Sequence, residues 1–440
     1  MVIQKLSHFL DIRAGTAYRV GVMASLLFFL IAANNLIKIL RDSMFLGHHS
    51  VSELPYLYIL VAVLAAAIIA TYTKYTAKLS VIRLILGTNA IILSNIIFFW
   101  FLLTYFNPGW SYYAFYIWSA MVSVIAVAQL WTLADQIFTL EEGKRSFGLL
   151  SAGGTVGGAL AGFGVKWFLH PSVESHHLLW VIAGLYLAAS ALLLWAQHRV
   201  VWKISKSELG ISEKPEETRA SSISDLLAGS AYLKTIAVLI FVSVIVSTLI
   251  DFQFKSAAKQ AYPSAGALAG VFSSYYGWLS VTTFFAQVVL TGKILSTVGL
   301  KLSLYLTPGT LLLGSLAIMI WPGLLTVVLT RMADATLRDS IYRSAMKTLY
   351  MPLSGKVKKT VKTFLDVVIE RTGDATAGFI ILLTLSFTGG YSTYIQFGCV
   401  ALIVLWMLMI ALLRTRDLKP LKAELKSQGL VPTEKQSVDK

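Results

Sequence analysis

The sequence predicts an all-α membrane protein with twelve transmembrane helices in two six-helix halves. Of its 440 residues, 56% are hydrophobic and 13% are charged, which is more apolar than a soluble domain of this length requires. Runs of about 20 apolar residues, each long enough to cross a bilayer, recur along the whole chain. Basic residues collect in alternate loops between these runs, a pattern typical of polytopic membrane proteins.

The N-terminal half, residues 1–198, contains six predicted spans. The segment 1–19 is polar and basic, and no small-residue cleavage site follows the first apolar run, so we expect a transmembrane helix and not a cleaved signal. A polar stretch without apolar period over 199–231 predicts a cytoplasmic linker. The six spans are expected near residues 20–37, 56–73, 80–105, 111–135, 146–168 and 177–197.

The C-terminal half, residues 232–413, contains six more, and a basic cytoplasmic tail follows over 414–440. Residues 356–371 are too charged to span, but Val361, Leu365 and other apolar residues recur at helical spacing opposite several lysines. This pattern predicts an amphipathic helix on anionic lipid headgroups at the cytoplasmic surface. The spans are expected near residues 232–254, 265–290, 298–321, 322–347, 373–389 and 391–413.

The charge distribution predicts the orientation. With the N-terminus inside, 29 of the 37 Lys and Arg residues lie in or beside cytoplasmic loops, so both termini are predicted to be cytoplasmic. The net charge of +15 is then a topology signal, and no nucleic-acid partner is expected. Six spans, a cytoplasmic linker and six spans is the layout of the major facilitator architecture, whose halves rock around a site at the midplane.

The tenth span carries five charges inside an apolar segment. A charge near the bilayer centre costs about 2.5 to 3.5 kcal/mol, so these side chains are expected to face partner charges or a water-filled cavity. At about 100° per residue, Arg331, Asp334 and Arg338 share one flank of the helix. Asp339 and Arg343 form a second pair about a third of a turn away.

Further intramembrane charges lie in the first, fourth and seventh spans, which line the cavity in the major facilitator architecture. Arg and Lys there would either hold phosphate or carboxylate groups of a substrate, or form interhelix ion pairs that gate the path. No catalytic or metal-binding constellation is present, so no enzyme activity and no cofactor are expected. The substrate-binding or gating candidates are Lys38, Arg41, Asp42, Asp135, Gln136, Asp251, Lys255, Arg331, Asp334, Arg338, Asp339 and Arg343.

Glycines recur every four residues in the fifth span, at Gly154, Gly158 and Gly162, with Gly153 and Gly157 beside them. Such a ridge allows two helices to approach closely. It is either a static packing seam or a contact on which a rocking transporter moves.

Three stretches resemble the ATP/ADP translocases of plastids and obligate intracellular bacteria, and more closely that family's divergent bacterial relatives. They are LIKILRDSMF, LWTLADQIFTLEEGKRSFGLLSAGG and YMPLSGKVKKTVKTFLDVVIERTGD. The resemblance implies ATP/ADP-type exchange in a bacterial inner membrane. It also implies that Arg41 and Asp42 are the basic residue and the Asp with which the family's first span ends, and that Arg338 or Arg343 helps to hold the nucleotide. Ser119 departs from the family's acidic residue in the fourth span.

Three functions therefore remain open from the sequence. The first is a secondary transporter that moves an organic anion, such as a nucleotide or related phosphate compound, by alternating access. The second is a proton-coupled carrier of another metabolite, with Asp334 or Asp339 as the proton site. The third is a transport-inactive membrane scaffold with the same fold.

Overall fold

The described residues of this computed structural model form helices joined by turns, which confirms the predicted all-α class. Within a bilayer an apolar chain must satisfy its backbone hydrogen bonds internally, and a helix does so within one segment. The structure describes residues 14–76, 80–138, 140–168, 175–199, 231–290, 299–350, 364–388 and 393–412, together with 294, 297 and 361. In chain order the helices are α1 (Ala14–His48), α2 (Leu54–Thr76), α3 (Val81–Tyr105), α4 (Trp110–Ile137), α5 (Leu140–Phe168), α6 (Leu178–Arg199), α7 (Ala231–Ala261), α8 (Ala265–Phe285), α9 (Leu300–Ile320), α10 (Leu324–Leu337), α11 (Arg343–Leu349), α12 (Glu370–Thr388) and α13 (Thr393–Leu412).

Three short π-helical segments, in which backbone bonds reach one residue further than in an α-helix, extend these helices. They are Ala286–Leu290 after α8, Arg338–Tyr342 between α10 and α11, and Leu365–Ile369 before α12. The tenth predicted span is therefore one helical stretch from α10 to α11 with a π segment at Arg338. Such segments occur often at functional sites, because they change the direction of the side chains that follow.

Eight helices among the described residues are long and apolar enough to cross a membrane. The remaining predicted spans coincide with α5, α8, α10–α11 and α12, which are helical but fall outside that set. The multi-pass character is thus established, and the number of twelve spans stays a prediction.

The chain divides into two compact units. Unit 1 comprises the described residues of Met1–Ser212 and Phe254–Val288, and unit 2 those of Glu213–Gln253 and Val289–Lys440. The C-terminal end of α7 and all of α8 thus pack with α1–α6. The predicted halves divide the chain elsewhere, at the 199–231 linker, and that division stays a prediction.

A short turn positions the last part of α7 against α8. Lys259 donates a hydrogen bond to the Pro263 carbonyl (3.0 Å), and the Ser264 side chain caps α8 by accepting from the Ala267 N–H (3.4 Å). Such a cap satisfies an N–H group that a helix start otherwise leaves unpaired. The turn thereby places the end of α7 beside α8 in unit 1.

The glycine ridge of α5 is a close-packed seam within unit 1. A Cβ at Gly157 would lie 2.3 Å from the Phe28 carbonyl oxygen of α1, and a Cβ at Gly162 would lie 2.4 Å from the Gly277 nitrogen of α8. Neither position therefore has room for a side chain. The Asn35 amide adds hydrogen bonds to the Gly158 carbonyl and the Ser280 hydroxyl, both at 3.2 Å.

The predicted interfacial helix over 356–371 lies partly outside the described residues. In its described part, Val361 and Leu365 are buried within the protein, and Val368 is exposed. The first two side chains thus pack inside the protein, where the sequence pattern had placed them toward lipid. The position of the whole segment at the membrane surface stays a prediction.

Candidate functional site

Two clusters of buried and partly buried charges contain most of the candidate residues, one in each unit. We call the group formed by Arg41, Asp42, Lys255, Tyr116 and Tyr276 in unit 1 the Asp42 cluster. The group in unit 2 formed by Asp251, Arg331, Asp334 and Arg338 with Ser243 and Ser247 is the Asp334 cluster. Each is organised around one carboxylate that is almost completely buried.

The Asp42 cluster joins the last turns of α1 and α7. Arg41 forms a two-pronged contact with Asp42, from Nε to Oδ1 at 2.9 Å and from Nη2 to Oδ2 at 3.0 Å. The Lys255 Nζ lies 3.4 Å from Asp42 Oδ1, and these two side chains are 3% and 1% exposed. One carboxylate therefore serves two cations from different helices.

Aromatic rings surround these charges. Tyr276 of α8 donates to Asp42 Oδ2 at 3.3 Å, and Lys255 donates to the Tyr116 hydroxyl of α4 at 3.2 Å. The Arg41 guanidinium lies 4.6 Å from the centre of the Tyr116 ring, within the range of a cation–π contact. Tyrosine supplies both the apolar wall and the polar contacts, which makes a buried ion pair tolerable.

The Asp334 cluster lies about halfway along α7 and the α10–α11 stretch. Arg331 Nη1 contacts Asp334 Oδ2 at 2.6 Å, and Arg338 Nη2 contacts Oδ1 at 3.1 Å. The Ser247 hydroxyl of α7 donates to the same Oδ2 at 2.5 Å. Both oxygens of this fully buried carboxylate are thus engaged, as the predicted common flank of the helix requires.

Both arginines of the Asp334 cluster also reach α7. Arg331 Nη2 lies 3.1 Å from Asp251 Oδ1, and Arg338 Nη2 donates to the Ser243 carbonyl at 2.7 Å. Among the described residues, the Arg338 Nε–H has no hydrogen-bond partner although it is buried. Since a guanidinium binds oxyanions through its fork of donors, the Nε–H of this group can serve a ligand.

Five candidates do not belong to either cluster. Asp339 and Arg343 form the predicted pair on α10–α11, with Arg343 Nε 3.4 Å from Asp339 Oδ1, but they are 45% and 63% exposed. Lys38 lies one turn before Asp42, with its Nζ 6.0 Å from the centre of the Tyr276 ring. Gln136 is half-buried at the end of α4, and the side chain of Asp135 lies outside the described part of the structure.

Sequence reasoning missed the polar side chains that complete the clusters. Tyr116 and Tyr276 carry no signal that separates them from other aromatic residues of the spans. The serines of α7 did carry one, because a polar residue recurs every fourth position along one face of that apolar helix. These positions are Ser243, Ser247, Asp251 and Lys255.

A neighbouring ion pair extends the polar region of unit 2. Thr248 of α7 donates to Asp374 Oδ1 at 2.9 Å, and Arg371 contacts Asp374 Oδ2 at 2.9 Å. Among the described residues, no group of three His, Cys, Asp or Glu side chains could hold a metal ion. The chemistry that these clusters offer is the binding of anions by guanidinium and ammonium groups.

The chain is similar in sequence to proteins of a known family. A family model described as the TLC ATP/ADP transporter matches residues 88–321, which is more than half of the chain. The ADP,ATP carrier protein 1 of Arabidopsis thaliana chloroplasts is 23% identical over 333 residues, covering 68% of this chain and 53% of the relative. An ADP,ATP carrier protein 1 of Chlamydia trachomatis is 22% identical, covering 68% and 64%. The chain thus spans between half and two thirds of the length of these curated relatives.

The fold also matches a solved structure. A bacterial homologue of the human lysosomal transporter Spinster, solved in an inward-facing and unoccupied conformation, aligns with a TM-score of 0.55 at 13% identity. The alignment covers 95% of this chain and 99% of the other. At this identity the likeness concerns the fold alone, and it confirms the major facilitator-like architecture predicted from the sequence.

Proposed function

Since the chain belongs to the TLC ATP/ADP transporter family, we propose that it is a secondary transporter that moves an organic anion by alternating access. The substrate that we propose is a nucleotide of the ATP/ADP type or a related phosphate compound. The family match supports this proposal, together with partly buried guanidinium groups in a membrane-spanning fold. No step of such transport requires hydrolysis of the nucleotide, so the protein acts as a carrier.

The single observation that carries the proposal is the Asp334 cluster. Its residues lie about halfway along their helices, and substrate sites of secondary transporters lie near the bilayer midplane. Two guanidinium groups converge there between serine hydroxyls, a donor set that suits phosphate oxygens. In this proposal Arg338 contacts the anion, while Asp334 and Ser247 hold the guanidinium groups in place.

The proton-coupled alternative receives no support from Asp334. Both oxygens of its carboxylate accept hydrogen bonds from arginine and serine side chains, so its geometry suits a positioning role. Asp339, the other predicted proton site, forms an exposed pair with Arg343, and we assign the substrate contact that the resemblance implied for Arg338 or Arg343 to Arg338 alone. We assign a role in closing the outward end of the transport path to Arg41, Asp42 and Lys255.

The orientation and membrane that we propose follow from the loops. The excess of basic residues in alternate loops supports cytoplasmic termini, and the similarity to a carrier of Chlamydia trachomatis supports a bacterial inner membrane. Large aromatic side chains are exposed at the other ends of the helices, including Tyr105, Trp110, Trp167 and Trp321. Such residues favour the level of the lipid headgroups at either face, which supports those helix ends as lying at a membrane–water interface.

Uptake of labelled ATP and ADP by proteoliposomes containing the full chain tests the proposal. We expect uptake that depends on internal nucleotide and that falls in Arg338→Lys, which keeps the charge and loses the guanidinium fork. The matched control is Arg343→Lys, the same change in an exposed pair on the same helical stretch. Uptake that depends on a pH gradient and does not depend on internal nucleotide would instead favour a proton-coupled carrier. If no phosphate compound is taken up, the result would favour a transport-inactive scaffold.

A further inference from the structure

The Asp42–Lys255 contact is an ion pair between two helices at their outward ends. Asp42 lies one to two turns before the end of α1, and Lys255 lies at a similar distance from the end of α7. Both side chains are nearly completely buried, and their charged atoms are 3.4 Å apart. Removal of one partner from a buried pair of this kind costs several kcal/mol of stability, because the remaining charge is left without its partner.

The sequences around the two residues are related, with the charges reversed. Leu36–Ser43 reads LIKILRDS, and Leu249–Ser256 reads LIDFQFKS. Leu, Ile and Ser are identical at three positions, while Lys38 aligns with Asp251 and Asp42 aligns with Lys255. Helices α1 and α7 begin the two predicted halves, and repeats in this fold are related by an axis along the membrane normal.

The reversal of charge has a physical reason. Equivalent positions near a twofold axis meet each other, so identical charges there would repel and would destabilise the contact. Opposite charges at equivalent positions attract each other. The contact between Asp42 and Lys255 is the arrangement that this pattern predicts.

We propose that Asp42 and Lys255 form a lock that closes the outward end of the transport path, and that an external phosphate-bearing anion stabilises the opened state. The proposal rests on the transport function and orientation proposed above. In the locked state Asp42 forms ion pairs with both Lys255 and Arg41. After opening, the anion replaces Asp42 as the partner of these two cations, so the substrate favours the state in which it can reach them.

Two further contacts secure the locked state. Tyr276 binds Asp42 from α8, and the adjacent Gly277 packs against α5, where Gly162 allows the helices to approach closely. Tyr116 binds Lys255 from α4. Opening of the outward end therefore separates the ion pair and the tyrosine contacts together, which makes the change cooperative.

Labelling of a buried cysteine by a membrane-impermeant thiol reagent from the outside tests the lock. The reporter is Ser273→Cys on α8, because Ser273 is fully buried one turn before Tyr276 and its hydroxyl has no partner among the described residues. Ser50→Cys, at an exposed position, gives the rate of full labelling. The native Cys399 is buried and gives the background.

We expect Asp42→Asn and Lys255→Gln each to raise the labelling rate of the reporter by about 2- to 150-fold, the range that corresponds to coupling energies of contacting residues. The double variant should label no faster than the faster single variant. The matched control, Lys166→Gln, removes an exposed lysine at the end of α5 in the same unit and should leave the rate unchanged. Equal rates in all variants, or multiplying effects in the double variant, would overturn the lock.

A further variant and a measurement with external ATP distinguish the lock from a folding defect and from the proposed transport function. Tyr276→Phe removes one hydroxyl from the cluster and should raise the rate by a smaller factor in a folded protein. External ATP should raise the labelling rate of the parent reporter protein and have no such effect in Lys255→Gln. Faster labelling in Asp42→Asn without any effect of ATP would uphold the lock and count against a nucleotide as the substrate.

Discussion

Removal of Asp334 is expected to destabilise the protein more than any other single change in the Asp334 cluster. The carboxylate is fully buried and accepts hydrogen bonds from Arg331, Arg338 and Ser247. Asp334→Ala leaves two guanidinium groups facing each other without it, and removal of one partner from a buried pair costs about 3 to 5 kcal/mol. Arg331 keeps its contact with Asp251, which moderates the loss.

Removal of Arg338 should cost less, because Asp334 keeps Arg331 and Ser247 as partners. We expect about 1 to 3 kcal/mol for Arg338→Ala, the cost of the buried hydrogen bonds that are lost. In the double alanine variant neither side chain leaves the other unpaired. Its cost should therefore be smaller than the sum of the two single costs by about 0.5 to 3 kcal/mol.

The variant Arg338→Lys distinguishes an effect on ATP binding from an effect on the stability of the fold. The charge remains and the fork is lost, so we expect the affinity for ATP to fall by about 10- to 100-fold, since a hydrogen bond to a charged group contributes about 1.5 to 3 kcal/mol. Thermal unfolding in detergent, with and without ATP, measures both quantities. Arg343→Lys is the control and should change neither. If ATP stabilises Arg338→Lys as strongly as the parent protein, Arg338 does not bind the nucleotide.

Three other outcomes follow from the fold. Reporter fusions in the 199–231 linker and at the C-terminus should lie in the cytoplasm, and a fusion between α5 and α6 should lie outside it. If the linker and C-terminal fusions lie on opposite sides of the membrane, the proposed orientation is refuted. Gly157→Leu should destabilise unit 1 by about 1 to 3 kcal/mol in thermal unfolding, whereas Gly164→Leu, where a Cβ meets no atom within 4 Å, should have little effect. Ser247→Ala removes a hydrogen bond from Asp334 and should cost about 1 to 3 kcal/mol in the same measurement, while an unchanged melting temperature would show that this hydroxyl does not support the carboxylate.

The order of the helices and the charges on the tenth span could be predicted from the sequence. Apolar runs of bilayer length give helices because the backbone has no other partner in lipid. The spacing of Arg331, Asp334 and Arg338 placed them on one flank, and the spacing of Asp339 and Arg343 made them a pair. These contacts lie within one helical stretch, so its period determines them.

The partners from other helices were decided by the tertiary structure. Asp42 meets Lys255 only because the ends of α1 and α7 pack together, although the two residues lie far apart in the chain. The exposure of the Asp339–Arg343 pair and the burial of Val361 likewise depend on which neighbouring helix covers each face. The sequence by itself determined the face on which each charge lies, because that follows from a local repeat of 3.6 residues. Only the packing of distant helices decided which charges meet.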